Sequence, residues 1–173
     1  MTLTFRQASL SDLPSLVGLV NSAYRGDSSR AGWTTEADLL GGQRTDPDTL
    51  REQLEGGAGV LLLAEADAAL RGCVFLERTG DDAYLGMLTI DPTRQNSGLG
   101  RALLEAAETF VRREWNARAI RMTVIAQRAE LIAWYGRRGY LPTGEREAFP
   151  YGDARFGLPK RDDLYFTILR KQL

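Results

Sequence analysis

The sequence predicts a mixed α/β fold of the α+β kind: a mostly antiparallel central sheet with helices on both faces. Three observations carry that expectation. Residues 59–90 read as three apolar strands in succession, with turns near Asp67-Ala68 and at Thr79-Gly80-Asp81-Asp82. Connections that short make antiparallel neighbours. The next strand, "AIRMTVIA", is reached only through a helical pattern, as a parallel pair requires. The chain then closes on two further strands. At 173 residues it is read as one domain, residues 1–173, long enough to bury a real core.

Taken in order, "TLTFRQA" alternates and opens the chain as a strand. Ser9 followed by Asp12 reads as a helix N-cap with an acid in the first turn. Leu13, Leu16, Val17, Val20 and Tyr24 then mark one helical face. Residues 25–46 are irregular, and a short helix follows Pro47 and ends at Gly56-Gly57. After the three strands, a helix opens at the glycines of "SGLGR", with Leu99, Leu103, Ala106 and Phe110 on its buried side. "ELIAWYGRRGY" is a short helix stopped by Gly139, and "YLPTGEREAFP" and "DLYFTILRKQL" are the closing strands. In the last, Leu164, Phe166 and Ile168 share a face. The longest loops are residues 25–46 and 150–161, and loops of that length are often functional.

Composition removes many chemistries. There is no histidine, so a serine-histidine-acid triad and histidine-based zinc sites are excluded. One cysteine, Cys73, allows neither an internal disulfide nor a cysteine-rich metal site, and "RGCVFLE" places it on a buried strand. No metal is expected. A net charge of -1 gives no basic field for nucleic acid or an anionic membrane. No apolar stretch approaches the ~18 residues that span a bilayer, and the N-terminus lacks the pattern of a signal peptide. A cytoplasmic location is the expectation. Acid–base work falls to Asp, Glu, Tyr, Lys or ordered water.

The segment "IDPTRQNSGLGRALLEAAE" carries the chemistry. Backbone N–H groups at a helix N-terminus lack intrahelical partners, and glycines clear the approach to them, so the turn can cradle phosphate. A plain helix cap with a tight turn explains the same glycines. The segment is not a Walker A loop, which needs Gly-Lys-Ser/Thr, and Leu103 stands where a dinucleotide fingerprint would have its third glycine.

Strand, Asp-Pro, then Gln95-Asn96-Ser97-Gly98-Leu99-Gly100 opening a helix resembles the Gln/Arg-x-x-Gly-x-Gly/Ala motif of the GNAT superfamily, the acyl-CoA-dependent N-acetyltransferases. "AELIAWYGRRGYLPTGE" is similar to that family's downstream helix, with Tyr135 four residues before Gly139 and Tyr140 after it. The order of elements also resembles the family's over nearly the whole chain. The resemblance implies a GNAT-like sheet whose parallel strands splay into a cofactor cleft, and acetyl-CoA as co-substrate. It implies Gln95, Asn96, Ser97, Gly98, Leu99, Gly100 and Arg101 around the cofactor's phosphates. Leu88, Thr89 and Ile90 would pair with its pantetheine arm like an added strand. Tyr135 would border the cofactor and protonate the leaving thiolate. Two positions depart from the family pattern. Arg128 stands where the family usually has asparagine, and "AYLGMLTI" lacks the carboxylate often found on that strand.

The expected activity is direct transfer of an acetyl group to a primary amine of a small molecule or peptide. The amine must lose a proton before it attacks. Water is expected to remove it, with Glu77 and Glu36 as the side chains that tune or position that water. Trp33 is read either as a wall of the acceptor pocket or as an anchor for its own loop. A non-catalytic acyl-CoA sensor or partner-binding domain of the same fold is the alternative. The reading leaves a homodimer open.

Overall fold

The computed structural model describes residues 2–173. Its strands and helices are β1 (Leu3–Gln7), α1 (Leu13–Tyr24), β2 (Leu40–Gly41), α2 (Pro47–Glu55), β3 (Gly59–Ala66), β4 (Ala69–Thr79) and β5 (Asp82–Ile90). They continue with α3 (Leu99–Trp115), β6 (Ala119–Ile125), α4 (Ala129–Gly136), β7 (Leu141–Ala148), β8 (Leu158–Pro159) and β9 (Tyr165–Gln172). Seven strands form one sheet in the order β1-β3-β4-β5-β6-β9-β7, antiparallel throughout except for β5 and β6. Those two are joined by α3, which explains the parallel pair.

The turns form where the sequence places them. Asp67 and Ala68 both take positive φ between β3 and β4, and Gly80 does so between β4 and β5. Ser9 and Asp12 form a capping box around a 3₁₀ turn just before α1, with the Ser9 N–H donating to Asp12 Oδ2 at 2.8 Å. The Asp46 carboxylate accepts from the Thr49 N–H at 2.8 Å and caps α2.

Alternation along β3 and β4 divides the core in two. Leu62, Val74, Leu76 and Leu85 face α3, where they meet Leu103, Leu104, Ala107 and Val111. Leu61, Leu63, Cys73 and Phe75 face α1 and α2 and pack on Leu13, Leu16, Val20 and Leu50. The thiol of Cys73 is fully buried there, and burial pushes its pKa up to about 12.

The buried face of α3 is rotated from the expected one. Ala106 and Phe110 are only half-buried, while Leu104, Ala107 and Val111 go deepest. Phe110 instead turns edge-on to Trp115 at 5.4 Å and covers the end of the helix. The rotation also buries Glu108, an acid on an otherwise apolar face. Its carboxylate accepts from the Tyr140 hydroxyl at 2.9 Å and from Lys171 Nζ at 2.9 and 3.0 Å, tying α3 to β9. Leu164, just before β9, and Phe166 on it belong to a small third cluster, and Leu169 on the opposite face of the strand joins the main core.

Two features position the site. The parallel pairing of β5 and β6 is limited to Ala83–Ile120 and Tyr84–Arg121, and the strands splay beyond it. On its other edge β5 carries a bulge: Cys73 pairs with Thr89 but Phe75 with Gly86, so β5 holds one extra residue. Met87 takes a φ of 57° there. A bulge of this kind bends the strand and re-aims the residues beyond it.

Candidate active site

Two cavities occupy the splay. The first, about 300 Å³, lies between the end of β5, the glycine turn and α4. Leu88, Thr89, Ile90, Gln95, Asn96, Gly98, Gly100, Arg101 and Tyr135 all line it, so most of the expected cofactor-binding residues converge. The second, about 330 Å³, lies between β5, β6 and the long loops. Tyr24, Leu88, Arg128, Leu131 and Tyr135 belong to both walls, so the cavities meet at these residues.

The glycine turn is built by its backbone. Asn96 and Gly98 take φ of 65° and 83°, and the first turn of α3 comes at once. The Ala102 N–H makes a helical bond to Gly98 O at 3.0 Å. The N–H groups of residues 99–101 precede it, and such groups have no intrahelical partner. The Leu99 side chain is buried in the core, so only its backbone can serve a ligand. Ser97 is exposed and its hydroxyl donates to Arg94 O. Gln95 turns inward: its Oε1 accepts from the Trp33 N–H at 2.9 Å, so this side chain pins the loop of residues 25–46 to the turn. Arg138 stacks on the Trp134 ring at 3.7 Å and adds a cation to the same rim.

Tyr135 is 5% exposed and has no hydrogen-bond partner for its hydroxyl among the described residues. Burial raises its pKa, so the hydroxyl remains a neutral donor. Across the junction, the Tyr24 hydroxyl donates to Leu88 O at 2.7 Å. That carbonyl and Ile90 O, which accepts from Gln95 Nε2 at 3.4 Å, are both engaged at the edge of β5.

Arg128, at the start of α4, is buried in an ion network. Glu36 Oε1 accepts from Arg128 Nη1 at 3.1 Å, and Glu36 Oε2 accepts from Arg25 Nε at 3.0 Å and Nη2 at 2.9 Å. Arg128 Nη2 donates to Thr34 Oγ1 at 2.9 Å. Glu36 therefore sits in the second cavity with both oxygens spent on guanidiniums. Trp33 lines the first cavity, 6.4 Å from the Trp134 ring, and not the second. Glu77 is half-buried on β4 and lines neither.

Several residues of the second cavity escape sequence reasoning. Arg25 and Arg44 come from the irregular loop, Tyr24 reads as a plain helical-face aromatic, and Glu147 ends an exposed strand. Glu147 is the cavity's one carboxylate without an ion pair among the described residues. No group of three or more His, Cys, Asp or Glu among the described residues is arranged to hold a metal ion. No helix among them is long and apolar enough to cross a membrane.

This arrangement, a strand splay with an anion cradle on one side and a second cavity on the other, has counterparts in known proteins. The crystal structure of the ribosomal-protein-S18-alanine N-acetyltransferase from Escherichia coli superimposes with a TM-score of 0.72 at 18% identity, covering 99% of this chain and 94% of that one. PaiA N-acetyltransferase from Thermoplasma acidophilum, in complex with coenzyme A, gives 0.66 at 17% identity with full coverage of both chains (100% each). YncA from Salmonella typhimurium, with its cofactor acetyl-CoA, gives 0.68 at 21% identity, covering 100% and 95%. At these identities the likeness establishes the fold. No curated protein sequence matches the chain. The family model described as the acetyltransferase (GNAT) domain matches residues 34–150, which take in the glycine turn, Tyr135 and most of both cavity walls. On that match, joined to the shared fold, the chain belongs to the GNAT acetyltransferases.

Proposed function

We propose that this protein is an acetyl-CoA-dependent N-acetyltransferase that moves the acetyl group directly to a primary amine of a small molecule or peptide. The observation that carries the reading is the meeting of the two cavities at Tyr135. Direct transfer needs both substrates to reach one point from opposite sides, and a sensor needs only the first cavity.

The residues present fit acetyl-CoA: the free N–H groups of the α3 N-terminus suit its phosphates, and the edge of β5 at Leu88–Ile90 suits its amide-bearing arm. When bound, it supplies an activated acetyl thioester. Tyr135, a neutral donor at the junction, stabilises negative charge on the departing sulfur. Glu36 is a poor recipient for the amine's proton, because taking it would break a buried ion pair. Water inside the second cavity removes it, with the unpaired Glu147 at the rim able to pass it on.

The test is thiol release from acetyl-CoA with a panel of antibiotics, polyamines, amino acids and peptides. Release with at least one amine, and mass gain of one acetyl group on it, is the expected result. Tight binding of acetyl-CoA with no release across the panel would favour the sensor.

A further inference from the structure

The second cavity carries a surplus of positive charge. Arg25, Arg44 and Arg128 face two carboxylates, Glu36 and Glu147. Arg25 and Arg128 share Glu36, so the buried network sets two cations against one anion. Glu147 lies on an exposed strand and pairs with neither. Arg44 has no carboxylate partner and no side-chain hydrogen bond among the described residues; only its backbone N–H is bonded, to Asn21 Oδ1. The guanidinium carbons of Arg44 and Arg128 lie 5.2 and 5.8 Å from the centroid of the same Tyr24 ring. Two cations of the second cavity thus flank Tyr24, a ring that belongs to both walls. Arg128 is 5% exposed, and its buried Nε has no partner among the described residues.

A buried charge without a counter-charge is costly unless something supplies one. The planar guanidinium fork matches a carboxylate, and Arg44 keeps its whole fork free. A polyamine would bring further positive charge into this site. The remaining wall includes Leu40, Phe149, Phe156 and Phe166, which suits an apolar body.

We propose that the acceptor amine carries its own carboxylate, seated by Arg44 and Arg128, with an apolar body against the phenylalanines. The substrate class is a small amino carboxylic acid. This rests on the N-acetyltransferase reading above.

The test uses matched acceptors: apolar α-, β- and γ-amino acids, each with its amide and its decarboxylated amine. Thiol release from acetyl-CoA is compared per fraction of neutral amine, because amidation lowers the amine pKa. In parallel, acids and amides are titrated calorimetrically into the protein with CoA present. At least one acid should exceed its amide and amine by roughly tenfold or more in kcat/KM, the scale of one charge-assisted contact. In Arg44→Gln the acid-to-amide ratio should fall toward one, and Arg44→Lys should restore part of it. A thermal melt checks that both variants fold. Equal use of acids, amides and amines would overturn the carboxylate seat and leave the transferase reading standing. Thiol release from none, with acids still bound in preference to amides, would overturn transfer and keep the seat. Neither release nor preferential binding overturns both.

Discussion

Tyr135 lines both cavities, its hydroxyl has no hydrogen-bond partner among the described residues, and burial keeps it protonated. If it stabilises the leaving sulfur, Tyr135→Phe should lower turnover by roughly tenfold to a thousandfold while acetyl-CoA affinity holds. A Phe variant with full turnover would reduce Tyr135 to a core ring packed on Trp134 and Tyr140. Glu36 is expected to behave differently. Among the described residues it is the sole counter-charge of two buried guanidiniums, so Glu36→Ala should destabilise the fold by about 3–5 kcal/mol in a denaturant melt. A variant of unchanged stability that had lost its turnover would instead make Glu36 the base. Tyr135 is legible in the sequence because its meaning is local, set by Gly139 and Tyr140 a few residues on. Arg44 and Glu147 are not legible. Nothing near either marks it, and only chain closure brings them into one cavity.

At the scale of elements, the two glycines of the turn do different work. Gly98 holds a φ of 83°, and an added Cβ would meet nothing within 4 Å, so its constraint is conformational. Gly100 faces the Trp134 ring, where an added Cβ would just touch it at 3.4 Å, so only a larger side chain would press on the ring. Gly98→Val should therefore lose stability by about 1–2 kcal/mol, the cost of the left-handed region for a branched residue, and weaken acetyl-CoA binding as the cradle shifts. Gly98→Asn should keep most of both, because asparagine tolerates this conformation and Asn96 and Asn116 already adopt it. Melts and calorimetry on the pair decide the matter; equal losses in both variants would mean that bulk, not backbone angle, is what the turn excludes. The strand–turn–helix is readable because two glycines stand together where an apolar run hands over to a helical pattern. The bulge at Met87 is not, since "AYLGMLTI" alternates no differently for having one residue too many.

The whole molecule adds a wall that no single element supplies. The loops of residues 25–46 and 150–161, distant in sequence, close together over the second cavity. β2 pairs with β8, the Lys160 N–H donates to Leu39 O at 2.8 Å, and Lys160 Nζ donates to Ala37 O at 2.6 Å. The sequence offers residues 149–163 as a possible wall but not the pairing of the two loops, because strands of two residues have no period to read. Gly157, in the second of these loops, has a φ of 102°. A Cβ there would overlap Arg25 Nη1 and come within 3.0 Å of Gly41 O. Arg25 cannot swing aside cheaply, since Glu36 and Gln43 O hold its guanidinium. Gly157→Ala must then push the two loops apart, at about 1–3 kcal/mol of stability. Neither Gly157 nor Arg25 lines the first cavity, so the damage should fall on one substrate alone. The expected result is a KM for the acceptor raised by roughly tenfold, the effect of losing one well-made contact surface, with acetyl-CoA affinity unchanged. If acetyl-CoA affinity fell and the acceptor KM stayed put, the joined loops would be a support for the glycine turn, reached through Trp33 and Gln95, and not the wall of the acceptor site.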